Sequence, residues 1–459
     1  MTPTRRFMAE MQGLKAKGGD SLVSLLCRTV MMLLPLGVVP AMADTPSGPF
    51  SSGFGSYGGS LGPTGAPNPY DRIRPILDTG EAPVESSRFL EGFRLPLLTR
   101  IKVAEYFDDN VFYNDLNRRS SFVTVVNPTF LVPMRFGKHS LGASYSFRGS
   151  VYENASQNNF VDNYLNAFAD LEFSHRAHLL LTGGASFAHN PIGTLFSQGN
   201  IVTLLRDPDQ YEEQNAGAMF RYGANKAKGR IDLYFNFISR NYTNHLERTR
   251  QRDVDGYTMG GIFYYRFMPK TSALFELREI VSDYQFTPPG VPSLSSLQSH
   301  YLTGLTWEPT AKTTGSIKVG YLTKDFDDPA RESQGMPTYE VALSWAPKSY
   351  SIFRLAAERT ANEPVYSGAS FARSQYYALS WNHGWLERLS SRLEVNRTEF
   401  NYVDSDIRNE GYGVFVGLFY KPRYWLTTGL NYFYNDRTST QQQFDYSRNM
   451  VELSLQMNM

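Results

Sequence analysis

The chain has 459 residues, a formal net charge of +1 and an aromatic content of 14%. The net charge is nearly zero and the sequence has no basic block, which argues against a nucleic-acid-binding protein. The single cysteine, Cys27, precedes the first apolar run, which excludes a disulfide framework and cysteine metal sites in the exported chain.

Residues 1–43 have the pattern of a secretory signal peptide. Several basic residues precede the apolar run 30–39, and Ala41 and Ala43 form an A-x-A cleavage site. The apolar run is too short to cross a bilayer as a helix, although a retained helical anchor is the alternative. We therefore expect export from the cytoplasm and cleavage near Ala43.

Residues 44–94 form a separate segment that is rich in Gly, Ser and Pro. Such a composition buries too little apolar surface to offset the entropy of ordering the chain. We expect a disordered periplasmic tail. A plug inside the barrel is the alternative, for which Phe50, Phe54 and Tyr57 would supply apolar contacts.

Alternating apolar and polar residues begin at about residue 95 and continue to the end of the chain. In the last segment, Val451, Leu453 and Leu455 alternate with Glu452 and Ser454. Successive strand residues point to opposite faces, so each such segment has one apolar and one polar face. Crossing a bilayer as a tilted strand takes about 9–11 residues, and the runs are long enough.

Two kinds of connection alternate along the same region. Eight short turns separate nine longer polar loops, which predicts about eighteen strands, with sixteen as the alternative count. The sequence therefore predicts an all-β fold in residues 95–459: a transmembrane antiparallel β-barrel of the Gram-negative outer membrane. A soluble β-sandwich or β-helix is the alternative, but neither explains strands of such uniform length.

The polar face should line the lumen, because Arg or Lys on the lipid face costs about 2–4 kcal/mol at the midplane. Candidate lumen-facing cations on alternating positions are Arg100, Lys102, Arg148, Arg240 and Arg354. We expect these side chains either to hydrogen-bond a hydrated cargo or to pair with neighbouring carboxylates and solvate the wall.

Two aromatic residues, Tyr234 and Trp307, fall among polar neighbours and are predicted to face the lumen as well. Sugar rings have apolar C–H faces that stack on aromatic rings, so such a wall suits sugar transit. The alternative is packing against a plug or a folded-in loop.

Other candidate sites are weak. Asp108, Asp109 and Asn110 could bind Ca²⁺, but their place at a strand end favours a turn. The histidines are scattered, and none of the nucleophile, metalloprotease or phosphate-loop motifs is present. We expect no enzyme activity, no cofactor and no metal site.

The segment from Glu105 to Phe112, Glu-Tyr-Phe-Asp-Asp-Asn-Val-Phe, resembles the Y-x-D-N-(V/I)-(F/Y) signature of a family of putative beta-barrel porins. The segments at Asn127–Phe130, Arg148–Tyr152 and Asn159–Tyr164 are similar to that family's following strands. Met459 departs from the usual terminal Phe of outer-membrane strands.

Members of this family are often encoded in exopolysaccharide or capsule gene clusters. The resemblance implies an outer-membrane exit for a polysaccharide, with outer-membrane lipid, a periplasmic polysaccharide-export protein and the barrel assembly machinery as partners. The alternatives are a diffusion porin for small solutes and a non-conducting structural or adhesive barrel.

Overall fold

The computed structural model describes residues 97–224, 227–310, 312–366 and 368–459, without the side chains of 308–310. The predicted signal peptide (1–43) and the Gly/Ser/Pro-rich segment (44–94) lie outside the described residues. Everything below concerns the described part of the chain.

The described residues form eighteen β-strands joined in one antiparallel sheet. The strands are β1 (Leu98–Asp108), β2 (Ser121–Phe136), β3 (His139–Tyr152), β4 (Phe160–Ser174), β5 (Ala177–Asn190), β6 (Asp209–Tyr222), β7 (Gly229–Tyr242), β8 (Val254–Met268), β9 (Thr271–Tyr284), β10 (Ser296–Thr310), β11 (Thr313–Phe326), β12 (Gln334–Lys348), β13 (Ser351–Asn362), β14 (Ala372–Leu386), β15 (Leu389–Tyr402), β16 (Arg408–Arg423), β17 (Leu426–Ser439) and β18 (Tyr446–Asn458).

The sheet closes on itself because the first strand pairs with the last. Each strand pairs with its sequence neighbours, and β1 also pairs with β18, with Val103 opposite Leu455. In a bilayer no water is available to hydrogen-bond an open strand edge, so a membrane sheet must close in this way. The predicted β-barrel is confirmed, with eighteen strands rather than sixteen.

The two faces of each strand differ as the alternation predicts. On β7, Ile231 and Leu233 are 38% and 47% exposed, whereas the side chain of Asp232 between them is buried. Exposed apolar side chains recur in this way from β2 to β18. The outer face is therefore the lipid face, and the polar side chains line the lumen.

The two rims differ in the length of their connections. Within the described residues, eight short turns lie at one rim, which we call the short-turn rim, and nine longer loops lie at the other, the long-loop rim. The loops carry a one-turn helix, α1 (Leu246–Thr249), and five 3₁₀ turns: Ser156–Asn158, Leu195–Ser197, Gly199–Leu204, Arg250–Arg252 and Gln442–Phe444. No described helix has the length and hydrophobicity needed to cross a bilayer.

Candidate functional site: the lumen and its long-loop mouth

Six of the seven predicted lumen residues lie on the inner face of the barrel. They are Arg100, Lys102, Arg148, Tyr234, Arg240 and Arg354, and each alternates with residues of the lipid face. Their strands, β1, β3, β7 and β13, are spread around the wall. They therefore form no single cluster.

Trp307 lies on the lipid face, so its predicted place in the lumen is wrong. On β10, Tyr301 and Leu305 are 53% and 45% exposed, whereas Leu302 is fully buried. Trp307 shares the face of Tyr301 and Leu305, and its ring approaches the outward Gly315 of β11. Between His300 and Trp307 apolar residues occur at both parities, so this segment alone did not fix its face.

A compact charge network covers the inner wall between β7 and β12. The Arg278 guanidinium lies 2.6 Å from Glu276 and 2.8 Å from Glu340. The Lys318 ammonium bridges the same two carboxylates at 2.7 and 2.8 Å. Tyr234 donates its hydroxyl to Glu276 at 2.8 Å. Two cations and two anions therefore neutralise each other, which is how buried charges are tolerated.

Other lumen cations are also held by carboxylates. Arg240 donates from Nε to Glu213 at 2.9 Å, and Lys102 lies 3.0 Å from Glu452. The contacts of these two residues are those of the second expectation, in which lumen cations pair with neighbouring carboxylates and solvate the wall. In contrast, no carboxylate of the described residues lies within salt-bridge distance of Arg354, so this residue contributes a positive charge to the lumen.

The acidic strand end of β1 closes the barrel. Arg448 of β18 donates from Nε to Asp108 at 2.9 Å, and both side chains are buried. Asp109 accepts hydrogen bonds from Arg118 and from the Asn449 side chain at 2.6 and 2.9 Å. Asn110 donates to the Ser447 carbonyl at 2.9 Å. These residues therefore join the first strand and its loop to the last strand.

The loop between β5 and β6, residues 191–208, crosses the long-loop mouth; we call it the mouth loop. Ile192, near its start, and Val202, in its second half, are almost fully buried in a cluster with Phe112 and the inner-wall residue Phe433. Gly193 has a φ of +87°, and a Cβ there would lie 1.7 Å from the Phe112 carbonyl oxygen. The mouth loop and the β1–β2 loop are therefore in direct backbone contact.

The middle of the mouth loop reaches the other side of the barrel. Leu195 and Phe196 pack with Val365 and other residues of the loops after β13, β15 and β17. The Arg252 guanidinium lies 4.7 Å from the centre of the Phe196 ring, which is a cation–π distance. In the ring of eighteen strands, β13 lies eight strands from β5, so these contacts span the mouth.

A buried tyrosine links the mouth loop to the start of β16 through side-chain hydrogen bonds. The Tyr366 hydroxyl donates to Gln198 at 3.3 Å and accepts from the Asn409 amide at 2.9 Å. Burial raises the pKa of the Tyr366 phenol, so the group stays neutral and keeps its proton for this bond. The mouth loop and its partner loops together form what we call the mouth layer.

The chain matches a protein family described as putative beta-barrel porin 2, and the match covers residues 97–459. The chain belongs to this family. In outer-membrane barrels the short turns face the periplasm and the long loops face the cell exterior, and we expect the same of its two rims. No curated protein sequence matches the porin.

Several solved outer-membrane proteins are similar to the porin in architecture. OccAB4 of Acinetobacter baumannii has a TM-score of 0.44 and 9% identity, and the match covers 79% of this chain and 98% of OccAB4. OccK3 (OpdO) of Pseudomonas aeruginosa has a TM-score of 0.44 and 11% identity, with 79% and 95% covered. The FrpB iron transporter of Neisseria meningitidis has a TM-score of 0.45 and 9% identity, with 79% and 81% covered.

The mouth layer is the part of the porin that the sequence alone did not predict. The signals in the sequence were Gly193 and Gly199, which both adopt positive φ, and the apolar residues Ile192 and Leu195 beside them in a loop. Apolar side chains in a long loop indicate that the loop packs on something. Their partners lie in other loops, which no local pattern identifies.

The residues described in the porin do not gather into a metal centre: no group of three or more His, Cys, Asp or Glu side chains there could hold an ion. The chemistry that the described lumen offers is hydrogen bonding and charge, supplied by paired ions, hydroxyls and amides. Such a wall accommodates hydrated polar solutes.

Proposed function

We propose that this porin exports a polysaccharide across the outer membrane through its lumen, and that the mouth layer closes the path when no polymer is present. The observation that carries the proposal is the combination of a charged lumen wall with a mouth covered by interlocked loops. The resemblance of Glu105–Phe112 to a family found in exopolysaccharide clusters supports the same substrate class.

The lumen suits a hydrated polymer in size and chemistry. A barrel of sixteen to eighteen strands is wide enough for an aqueous channel. The network of Glu276, Glu340, Arg278 and Lys318 is neutral, so it solvates the wall without holding a charged cargo tightly. Conduction requires contacts that are favourable but weak, and a wall of paired charges and hydroxyls supplies them.

The mouth layer argues against free diffusion of small solutes. Ile192, Leu195 and Val202 are buried in apolar clusters, and Arg252 donates to the Pro364 carbonyl at 3.0 Å across the mouth. A polar solute that crosses this layer must separate apolar side chains and break specific hydrogen bonds, which is unfavourable. A polymer delivered under the force of synthesis or by a partner protein can displace the loops.

The proposal implies partners both for polymer transport and for assembly of the barrel. A periplasmic polysaccharide-export protein would deliver the polymer to the short-turn rim from an inner-membrane synthase or flippase. The barrel assembly machinery would insert the barrel, starting from the apolar face of β18, and outer-membrane lipid would surround it.

Liposome swelling tests the proposal against its main competitor. Purified porin is reconstituted into liposomes, and swelling is followed after a shift into isotonic arabinose. A closed mouth layer predicts slow swelling, close to that of protein-free liposomes. A diffusion porin, which the polar wall of paired charges would also suit, predicts rapid swelling that slows with solute size. Rapid swelling would contradict an export channel whose mouth layer is closed when no polymer is present.

An experiment with urea distinguishes the proposed export channel from the third alternative, a non-conducting barrel. Moderate urea that loosens the mouth layer before the strands should produce ion conductance in planar bilayers, since the loops have fewer backbone hydrogen bonds than the sheet. If no conductance appears at any urea concentration below barrel unfolding, the lumen is not a path.

A further inference from the structure

The lipid face of the barrel carries arginines near the long-loop rim. Four consecutive strands, β13 to β16, each hold one on that face: Arg359, Arg373, Arg397 and Arg408. Arg359 shares the parity of Leu355, which is 42% exposed to lipid. Arg373 shares the parity of Tyr377, which is 38% exposed to lipid. Cations are costly on this face within the hydrocarbon, so their depth and their partners decide what they do.

Exposed tyrosines show how deep these arginines lie in the membrane. Tyr377 and Tyr412 flank Arg397 in the strand register, and tyrosines on the lipid face mark the membrane–water interface. Arg359 lies opposite Gln375, which is two residues past Tyr377 toward the long-loop rim. Arg373 lies two residues further in the same direction. Both side chains are therefore at the level of the lipid headgroups.

Arg359 and Arg373 form a pair of cations without a counter-ion. Arg373 lies opposite Ala361, so the two arginines are diagonal neighbours on adjacent strands, about 7–8 Å apart at the backbone. No carboxylate of the described residues is within salt-bridge distance of either guanidinium. The Nε of each is buried and has no hydrogen-bond acceptor in the part of the chain that the structure describes. The pair therefore has positive charge that its surroundings do not compensate.

Arg397, on the next strand, shows how a cation of this face is neutralised. Its guanidinium forms ion pairs with Glu399 and Glu410, the latter at 3.4 Å. Glu399 also accepts a hydrogen bond from Gln375 Nε2 at 3.1 Å. These two carboxylates are therefore engaged by Arg397 and Gln375 rather than by the arginine pair.

Hydrogen bonds between side chains hold the wall around the pair in place. The Tyr339 hydroxyl lies 2.7 Å from the Tyr377 hydroxyl, and Tyr377 donates to Gln375 Oε1 at 3.1 Å. Arg373 donates from one terminal nitrogen to the Gln334 side chain at 3.0 Å. Guanidinium groups held in this way are preorganised for phosphate, whose oxygens accept two parallel N–H bonds from one arginine.

The position of the pair indicates that its ligand comes from the membrane. The pair lies on the outer face, so a cargo in the lumen cannot reach it. A lipid phosphate in the leaflet on the long-loop side has the matching charge, the acceptor oxygens and the depth. The same face of β6 and β9 carries Glu212 and Glu279, so the lipid face is not uniformly basic.

We propose that Arg359 and Arg373 bind the phosphate group of an anionic lipid in the leaflet on the long-loop side, so that one phosphorylated lipid is held at β13 and β14. This site does not rest on the proposed export function. The loop between these two strands contributes Val365 and Tyr366 to the mouth layer. The bound lipid therefore stabilises the ends of the two strands that this loop connects.

Lipid binding is measured by native mass spectrometry of the full mature chain, released from micelles of a neutral detergent. The probes are phosphatidic acid, diacylglycerol with the same acyl chains, and inorganic phosphate. We expect one phosphatidic acid per porin at low lipid concentration, and binding of diacylglycerol that is at least about tenfold weaker, because it lacks the charged acceptor. Inorganic phosphate in about tenfold excess should not displace the lipid, since the acyl chains contribute to its binding.

Two variants test the pair, and one controls for total charge. Arg359→Gln and Arg373→Gln should each weaken binding of phosphatidic acid about five- to tenfold, since charge-assisted hydrogen bonds are lost. Arg206→Gln removes the same charge from an exposed position of the mouth loop at the same rim, and should stay within about twofold of wild type. Heat-modifiable migration shows that each variant is folded.

Each other outcome counts against the site. Equal binding of phosphatidic acid and diacylglycerol, or equal loss in Arg206→Gln and Arg359→Gln, overturns it. Displacement of the lipid by inorganic phosphate overturns it in favour of a site for free anions. Porin dimers that bind no lipid and dissociate in Arg359→Gln overturn it in favour of contact with a second copy, through the acidic face of Glu212 and Glu279. Weaker lipid binding in both pair variants alone supports the site, whatever the export tests show.

Discussion

Asp108 on the first strand and Arg448 on the last form a buried ion pair across the line where the barrel closes. The two residues are 340 positions apart, and their contact involves both carboxylate oxygens. Asp108 lies in the segment Glu105–Phe112, whose sequence resembles the porin family's signature. We therefore assign that part of the signature to barrel closure rather than to cargo or metal binding.

Breaking this pair should destabilise the barrel. Arg448→Met leaves the Asp108 carboxylate buried without its cation, and removing one member of a buried pair costs about 3–5 kcal/mol. The double variant Asp108→Asn with Arg448→Met should recover part of that loss. The free energy of unfolding in lipid vesicles, followed by tryptophan fluorescence in urea, measures both effects.

The exposed pair beside it is the matched control. Arg118 lies 2.6 Å from Asp109, with 38% of its side chain exposed. Arg118→Met should cost less than about 1 kcal/mol, since water screens an exposed ion pair. Similar losses for Arg118→Met and Arg448→Met would contradict a special role of the closing pair.

The terminal strand should be indispensable. Deleting Val451–Met459 removes most of the pairing partners of β1 and exposes two strand edges, at several kcal/mol for each unsatisfied backbone group in lipid. We expect no heat-modifiable band on electrophoresis and no outer-membrane protein. Met459→Phe keeps the backbone bonds to Thr99 at 2.7 Å and should assemble at least as well as wild type. A folded truncated barrel would contradict the closure of the sheet.

Membrane orientation is testable with single cysteines in a Cys27→Ser background. Thr203 is exposed in the mouth loop, and Lys228 is exposed in the β6–β7 turn. An impermeant maleimide should label Thr203→Cys in intact cells and Lys228→Cys only after the outer membrane is permeabilised. The reverse pattern would mean that the short-turn rim faces outward.

Gly193 provides a test of the mouth layer. In Gly193→Ala the new Cβ collides with the Phe112 carbonyl oxygen, and strained positive-φ positions cost about 1–3 kcal/mol. If that strain falls on the closed state alone, the ratio of open to closed loops rises about 5- to 150-fold. Single-channel recording should show more frequent openings than in wild type.

Gly290→Ala is the control for backbone strain alone. Gly290 also has a positive φ, of +78°, but nothing lies within 4 Å of the position of a Cβ. We expect its channel recordings to match wild type. More openings in both variants would show that strain in any external loop opens the path, and would remove the mouth loop from its proposed role.

Strand alternation was enough to predict the barrel, because each crossing strand must present an apolar face to lipid. The same rule failed at Trp307, since both faces of β10 there carry apolar or small residues.

The candidate site was less predictable than the fold. Charge patterning placed Arg240 and Tyr234 in the lumen, but their partners, Glu213 and Glu276, depend on strand register. The role of Asp108 depends on a residue at the other end of the chain, and the mouth layer depends on contacts among several loops. Such long-range pairings are set by closure of the sheet, which local sequence does not encode.

The most direct test of polymer export is the amount of polysaccharide on the cell surface after the gene is deleted, measured beside the uptake of a small sugar. We predict that surface polymer is lost, that small-sugar uptake is unchanged, and that a plasmid copy of the wild-type gene restores the polymer. Unchanged surface polymer in a strain known to produce it, together with slower sugar uptake, would contradict export and identify a diffusion porin.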